Sequence, residues 1–194
     1  MEKEFYIFDD IVSKDYQDYI EHVIYQQDWF FKPTLSANTE ADEAENFTDV
    51  PGFVNVFYNN NGVTNQWLYD ICLPLAHICC NKVDVKFNQI YFGRTFLQQP
   101  VTTHSGISNP HVDMQNFDHM VCLYYVKDAD GSTVFFDKKS TSEKRPSFSN
   151  YKIVEEVEPK KGRVVIFDGR IYHANYLPQK NLRSVINMNL GVSK

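Results

Sequence analysis

From Val83 onward the sequence keeps no long helical period, and this limits the possible folds more than any other feature. Val83, Val85 and Phe87 alternate; Gln89, Tyr91 and Gly93 continue that face, while Ile90, Phe92 and Arg94 take the other. Short apolar or alternating runs follow at 120–126, 133–136, 164–167, 171–173 and 183–190, with turn residues between them. Asp168-Gly169 is a two-residue hairpin signal of the type I′ kind, so it predicts a reversal that carries His173 back across the sheet.

Upstream the pattern differs. Residues 4–8 and 53–58 read as strands, the second ended by the turn Asn59-Asn60-Asn61-Gly62. Ser13 is a predicted N-cap. Tyr16, Tyr19, Ile20, Val23 and Ile24 then recur as one face of an amphipathic helix, whose tyrosines are expected in the core. Trp67, Ile71, Leu75 and Ile78 trace a second helix, and Pro74 inside it predicts a kink or a division in two. Helices followed by about eight short strands argue for a mainly β protein, an antiparallel double-sheet jelly roll flanked by two or three helices. At 194 residues the chain is expected to be one domain, with 1–82 as helical support and first strands and 83–194 as the jelly-roll core.

The net charge of −6 disfavours a nucleic-acid partner, and the basic clusters Lys138-Lys139 with Lys144-Arg145, and Lys160-Lys161 with Arg163, read as solvated loops. Cys72, Cys79, Cys80 and Cys122 form no Cys-x-x-Cys pair, and buried reduced thiols are expected. Met1-Glu2-Lys3-Glu4 carries no apolar signal core, and no run of about 20 apolar residues occurs. The expectation is therefore a cytoplasmic protein with no membrane association. Residues 36–46 read as an acidic surface loop, and 101–110 and 138–150 as polar loops on a rim, where substrate contacts collect, with a plain surface loop of at least equal weight for 138–150.

His111-Val112-Asp113 places an imidazole and a carboxylate two positions apart, on one face of extended chain, where both can reach one metal ion. His173 arrives about 60 residues later. Two His and one carboxylate with open positions suit non-haem Fe(II). His22, His77, His104 and His119 are weaker candidates, since none stands two residues from a carboxylate in this way. Arg183 follows His173 by ten residues, on a strand whose face of Arg183, Val185, Asn187 and Asn189 is assigned to the barrel interior.

This ordered set resembles the core of the 2-oxoglutarate- and Fe(II)-dependent oxygenases, specifically over residues 84–191. Leu123-Tyr124-Tyr125-Val126 and the run from Val165-Ile166-Phe167-Asp168-Gly169 to Arg183-Ser184-Val185-Ile186-Asn187 look like the prolyl-4-hydroxylase-like branch, and most like its small bacteriophage-encoded members. The resemblance implies a double-stranded β-helix with His111, Asp113 and His173 as Fe(II) ligands. It implies Arg183 as the anchor of the distal 2-oxoglutarate carboxylate, Tyr125 as a second anchor and Tyr91 as a weaker one. Thr133, in Asp130-Gly131-Ser132-Thr133, is read as structural.

The implied reaction hydroxylates a C–H bond with O₂, turning 2-oxoglutarate into succinate and CO₂, with ascorbate as a supporting reductant. The substrate would be a prolyl residue, a peptide or a small molecule, and a phage-encoded enzyme would work in the host cytoplasm. Halogenating relatives lack the metal-binding carboxylate, so Asp113 points to hydroxylation or another oxidation. Nucleic-acid demethylating relatives carry a second Arg six residues after the first, where this chain has Asn189. Oxidative demethylation of nucleic acid is therefore a runner-up. A non-catalytic jelly-roll binding module and a cupin-type protein of another metal are the alternatives from other classes. Oligomeric state is not fixed by the sequence.

Overall fold

Ser13 opens the first helix, α1 (Lys14–Tyr25), its hydroxyl accepting from the Tyr16 amide. The computed structural model describes residues 4–35, 47–48, 51–103, 105–115, 118–141 and 146–193; the predicted acidic loop at 36–46, His104, and Lys144-Arg145 lie outside them. The buried face of α1 is Gln17, Ile20, Val23 and Ile24. Of the two tyrosines, Tyr16 packs half-buried against the core as expected, its hydroxyl donating to the Ile71 carbonyl, whereas Tyr19 is 45% exposed. Gln17 is buried because Gly162 leaves room for its side chain, and its amide donates to Asp10 and to the Val12 carbonyl. Those two hydrogen bonds offset part of the cost of burying the amide, whose Oε1 has no partner among the described residues.

The second helix, α2 (Gln66–Lys82), is capped by Asn65 and runs unbroken through Pro74. The predicted division does not occur. Pro74 lies on the exposed face, where water can serve the Asp70 carbonyl that loses its amide partner. The buried stripe is Leu68, Ile71, Cys72, Leu75, Ala76, Cys79 and Cys80, while Trp67 faces outward. All four cysteines are buried free thiols. Among the described residues, no helix is long and apolar enough to cross a membrane.

The strands are β1 (Phe5–Phe8), β2 (Phe30–Lys32), β3 (Gly52–Asn59), β4 (Gly62–Val63), β5 (Lys86–Gln98), β6 (Met120–Tyr125), β7 (Thr133–Lys139), β8 (Ile153–Val157), β9 (Val164–Asp168), β10 (Ile171–Asn175) and β11 (Arg183–Ser193). They form two antiparallel sheets. The larger runs β1-β9-β6-β11-β5-β3-β2 with β4 beside β3, and the smaller runs β10-β7-β8. Alternation along the central strands fills two cores at once. Cys122, Tyr124, Ile166, Ile186 and Met188 pack outward against α1 and α2. Val121, Leu123, Tyr125, Val165, Phe167 and Val185 point inward, against Phe135, Val157 and Ile171 of the smaller sheet. A third cluster, including Val134, Phe136, Phe148 and Tyr172, covers that sheet's outer face.

One predicted turn is built differently. Strands β9 and β10 do not form a hairpin: β9 pairs with β1 and β6, whereas β10 pairs with β7 in the other sheet. Gly169 has no positive φ, so the turn is not type I′. The chain instead rounds a corner between sheets, with Asp168 accepting from the Arg170 amide. Glycine is needed there because a Cβ would lie 2.1 Å from the His119 ring.

Candidate metal centre

The two histidines meet through the backbone. His111 and His173 form an isolated antiparallel bridge, each amide donating to the other's carbonyl at 3.0 Å, so their side chains leave the same face side by side. Their ring centroids are 4.6 Å apart. Val112 turns to the outer cluster, and this alternation sends Asp113 inward with His111. One ligand atom from each of His111, Asp113 and His173 lies within 4.8 Å of the others, the one such group of three or more among the described residues.

Both rings are oriented by carbonyls. His111 Nδ1 lies 3.0 Å from the Asn109 carbonyl oxygen, and His173 Nδ1 lies 3.2 Å from that of Ile171. Carbonyls only accept, so each Nδ1 carries a proton, and in the neutral ring it is Nε2 that offers a lone pair. His173 Nε2 stands 3.9 Å from Asp113 Oδ2. Burial, with His111 alongside, pushes His173 down to about 4, so the ring is neutral at ordinary pH. Burial alone would raise Asp113, but Arg94, His173 and His111 nearby and the Asn187 amide outweigh it, holding the carboxyl well below its usual range. The result is a neutral His173 ring and an anionic carboxylate, with the His111 ring alongside.

Beside these residues, between the sheets, is a cavity of about 60 Å³, several times the roughly 10–15 Å³ that one water needs. His111, His173, Asn187, Phe96, Thr133 and Arg183 form part of its walls, and among the described residues Arg183 is its one permanently charged lining residue. Arg183 is buried, and burial lowers its pKa. Its Nε donates to the Gly131 carbonyl at 2.8 Å and an Nη2 hydrogen to Thr133 Oγ1 at 2.9 Å. The Tyr125 hydroxyl donates to the same Thr133 oxygen at 2.7 Å.

No protein-family model matches the sequence, and no curated protein does. Solved structures do resemble it. An oxidoreductase of the 2OG-Fe(II) oxygenase family from Burkholderia pseudomallei superposes with a TM-score of 0.70 at 10% identity, over 98% of this chain and 86% of that one. The chain has the 2OG-Fe(II) oxygenase fold. The non-heme alpha-ketoglutarate-dependent carbocyclase SnoK from nogalamycin biosynthesis follows at a TM-score of 0.67 and 12% identity, over 97% of this chain and 79% of that one. A Pseudomonas putida prolyl-4-hydroxylase gives 0.58 at 11% identity, over 97% and 93%.

On this oxygenase fold the remaining sequence candidates fall in different places. Tyr91 is not among the cavity-lining residues; it sits against Gly191, where the pairing of β5 with β11 shifts register and breaks the alternation. Tyr125 stands behind Thr133, which forms the wall itself. His119 packs at the Gly169 corner, and His22 and His77 are exposed, so none joins the three-residue group. The sequence reading gave no role to Arg94 or Asn187, yet both donate to Asp113, at 2.5 and 3.0 Å. Asn187 at least carried a signal, because it shares the inward face of Arg183; Thr133 was visible only as part of a turn.

Proposed function

We propose that this protein is a 2-oxoglutarate- and Fe(II)-dependent oxygenase, with His111, Asp113 and His173 as metal ligands and Arg183 as the anchor of the distal 2-oxoglutarate carboxylate. One observation carries the reading. Two imidazoles and a carboxylate converge within 4.8 Å beside a cavity into which, among the described residues, one permanent charge is set, a buried guanidinium. The donor set suits Fe(II), since nitrogen and oxygen ligands hold the ion while leaving positions for other groups. A planar guanidinium stays charged when buried and offers parallel donors to a carboxylate. Thr133 and, behind it, Tyr125 fix the angle at which Arg183 presents them.

When bound, the ion and 2-oxoglutarate would, with O₂, supply an oxidant for a C–H bond, one oxygen atom entering the succinate and the other the product, with CO₂ released. The chain's own contribution is to position these groups and keep water from them. Val185, Leu123 and Phe96 line the cavity with apolar surface, which favours that exclusion. The substrate in this reading is a prolyl or other peptide group, or a small molecule, and one domain, residues 1–194, carries the whole site. Nucleic acid is disfavoured: Lys161 pairs with Asp18 and Glu21, Arg163 with Asp9, and Lys139 with Glu4, so these bases are neutralised locally.

The test is succinate formation from 2-oxoglutarate by the Fe(II)-loaded protein without any other substrate. The unaltered chain is expected to turn over slowly, and Asp113→Ala to lose this activity. Succinate formation that persists in Asp113→Ala, or its absence from the unaltered chain, rejects the proposal.

A further inference from the structure

The register of the large sheet puts two donors under one carboxylate. Asn187 on β11 and Arg94 on β5 are direct cross-strand partners, so their side chains emerge together on the inward face. They divide the Asp113 carboxylate between them. Arg94 Nη2 takes Oδ1 and Asn187 Nδ2 takes Oδ2, and Oδ2 is the oxygen 3.9 Å from His173 Nε2. The Asp113 side chain is fully buried, so water does not compete for either oxygen. Arg94 is held in turn by its neighbours on the same face of β5, its guanidinium carbon lying 5.3 Å from the Phe92 ring centre and 4.8 Å from that of Phe96. Asn187 Oδ1 is buried with no hydrogen-bond partner among the described residues, so its contact with Asp113 is what orients the amide.

A carboxylate can hold a metal through one oxygen or through both. We propose that Arg94 and Asn187 hold Asp113 to one-oxygen coordination: Arg94 retains Oδ1, while Asn187 steadies Oδ2 toward the metal. The inference rests on the metal-site reading above. Arg94 is thereby a positioning residue whose effect is to keep a coordination position open. With Asp113 bound through two oxygens and 2-oxoglutarate through two, no position would remain for a further ligand on a six-coordinate ion. Without 2-oxoglutarate, positions remain in either case.

That difference gives the experiment. The protein is loaded with Co(II), which needs no turnover, and azide binding is followed by Co(II) visible absorption with and without 2-oxoglutarate. Arg94→Met keeps an unbranched stem between Phe92 and Phe96 but no donor. It is expected to weaken azide binding by about tenfold with 2-oxoglutarate present and to change it little without. Arg94→Lys, which retains a charged donor, should return azide binding to within about threefold of the unaltered chain. Arg94→Ala is read in the same way should the methionine not be accommodated.

Equal weakening in both arms would mean that only the lost charge matters, and overturns the inference, as does no weakening in either. Loss of Co(II) binding from a folded Arg94 variant also overturns it, because Arg94 would then simply support the 111–113 segment. Failure of the unaltered chain to bind Co(II) is a different result: it removes the metal-site reading, and this inference with it.

Discussion

Burial and the neighbouring His111 pull His173 from 6.5 down to about 4, and this shift links the site to the stability of the metal-free chain. The unfolded chain takes up this proton near 6.5 and the folded one only near 4, so between those values the unfolded state binds more protons. Stability therefore falls as pH drops through that window, by up to roughly 3 kcal/mol. Asp113, held low, adds a further loss only as pH falls below the ordinary carboxylate range. Denaturant unfolding of the metal-free protein at about pH 7 and about pH 5 should show the first loss, and His173→Phe should flatten it. An undiminished slope in the variant would assign the effect to another group. Thr133 carries a second test at this scale, since its hydroxyl accepts from both Arg183 and Tyr125. Thr133→Val strands a buried Arg183 donor and leaves Tyr125 only the Val157 carbonyl at 3.5 Å, so it is expected to destabilise by about 1–3 kcal/mol in the same assay, although the side chains are nearly equal in volume.

Among the elements, α2 holds a residue that works against it. Pro74 removes a backbone hydrogen bond from the interior of a 17-residue helix, and it is exposed, so little packing depends on it. Pro in a helix interior is about 3 kcal/mol worse than Ala, and about 1 kcal/mol of that is offset by the stiffer unfolded chain. Pro74→Ala should therefore stabilise by about 1–2 kcal/mol, raising the denaturant midpoint without changing its slope. A neutral or destabilising result would mean that the ring makes a contact the exposed position does not suggest. The same helix shows what local sequence reveals. Its apolar period and the Asn65 cap are properties of neighbouring residues, as are the alternations of β5, β6 and β11. Register is not local. That Asn187 faces Arg94 is set by strands some ninety positions apart, and the bulge that takes Tyr91 out of the expected face leaves no mark in the residue pattern. Asp168-Gly169 likewise has the composition of a hairpin, and only the existence of a second sheet makes it a corner.

For the whole molecule, the consequence of two sheets is that the site belongs to both. His173 lies on β10 of the smaller sheet, while Arg183 opens β11 of the larger one, and the cavity lies between them. The order of His111, Asp113, His173 and Arg183 in the sequence was enough to propose these residues, because each stands at a strand end or in a motif. Arg94, which donates to Asp113, comes from β5, and Thr133, which accepts from Arg183, comes from β7; only the folded topology brings those strands alongside. A ligand that spans the cavity ties the sheets together and binds the folded state alone, so it must stabilise the protein by mass action, about 2.7 kcal/mol at a hundredfold excess over its dissociation constant. For a chain of 194 residues that corresponds to a rise of roughly 5–10 °C in melting temperature. Under anaerobic conditions Mn(II) and then 2-oxoglutarate should each raise the midpoint. On the proposed assignment, Arg183→Ala is expected to keep the metal's share and lose most of the 2-oxoglutarate share, because the carboxylate would lose its partner while the three residues assigned to the metal remain. Asp113→Ala should lose both, since the second ligand has no ion to join. A 2-oxoglutarate shift that survives Arg183→Ala undiminished would move the distal carboxylate to another residue and leave the buried guanidinium a purely structural role.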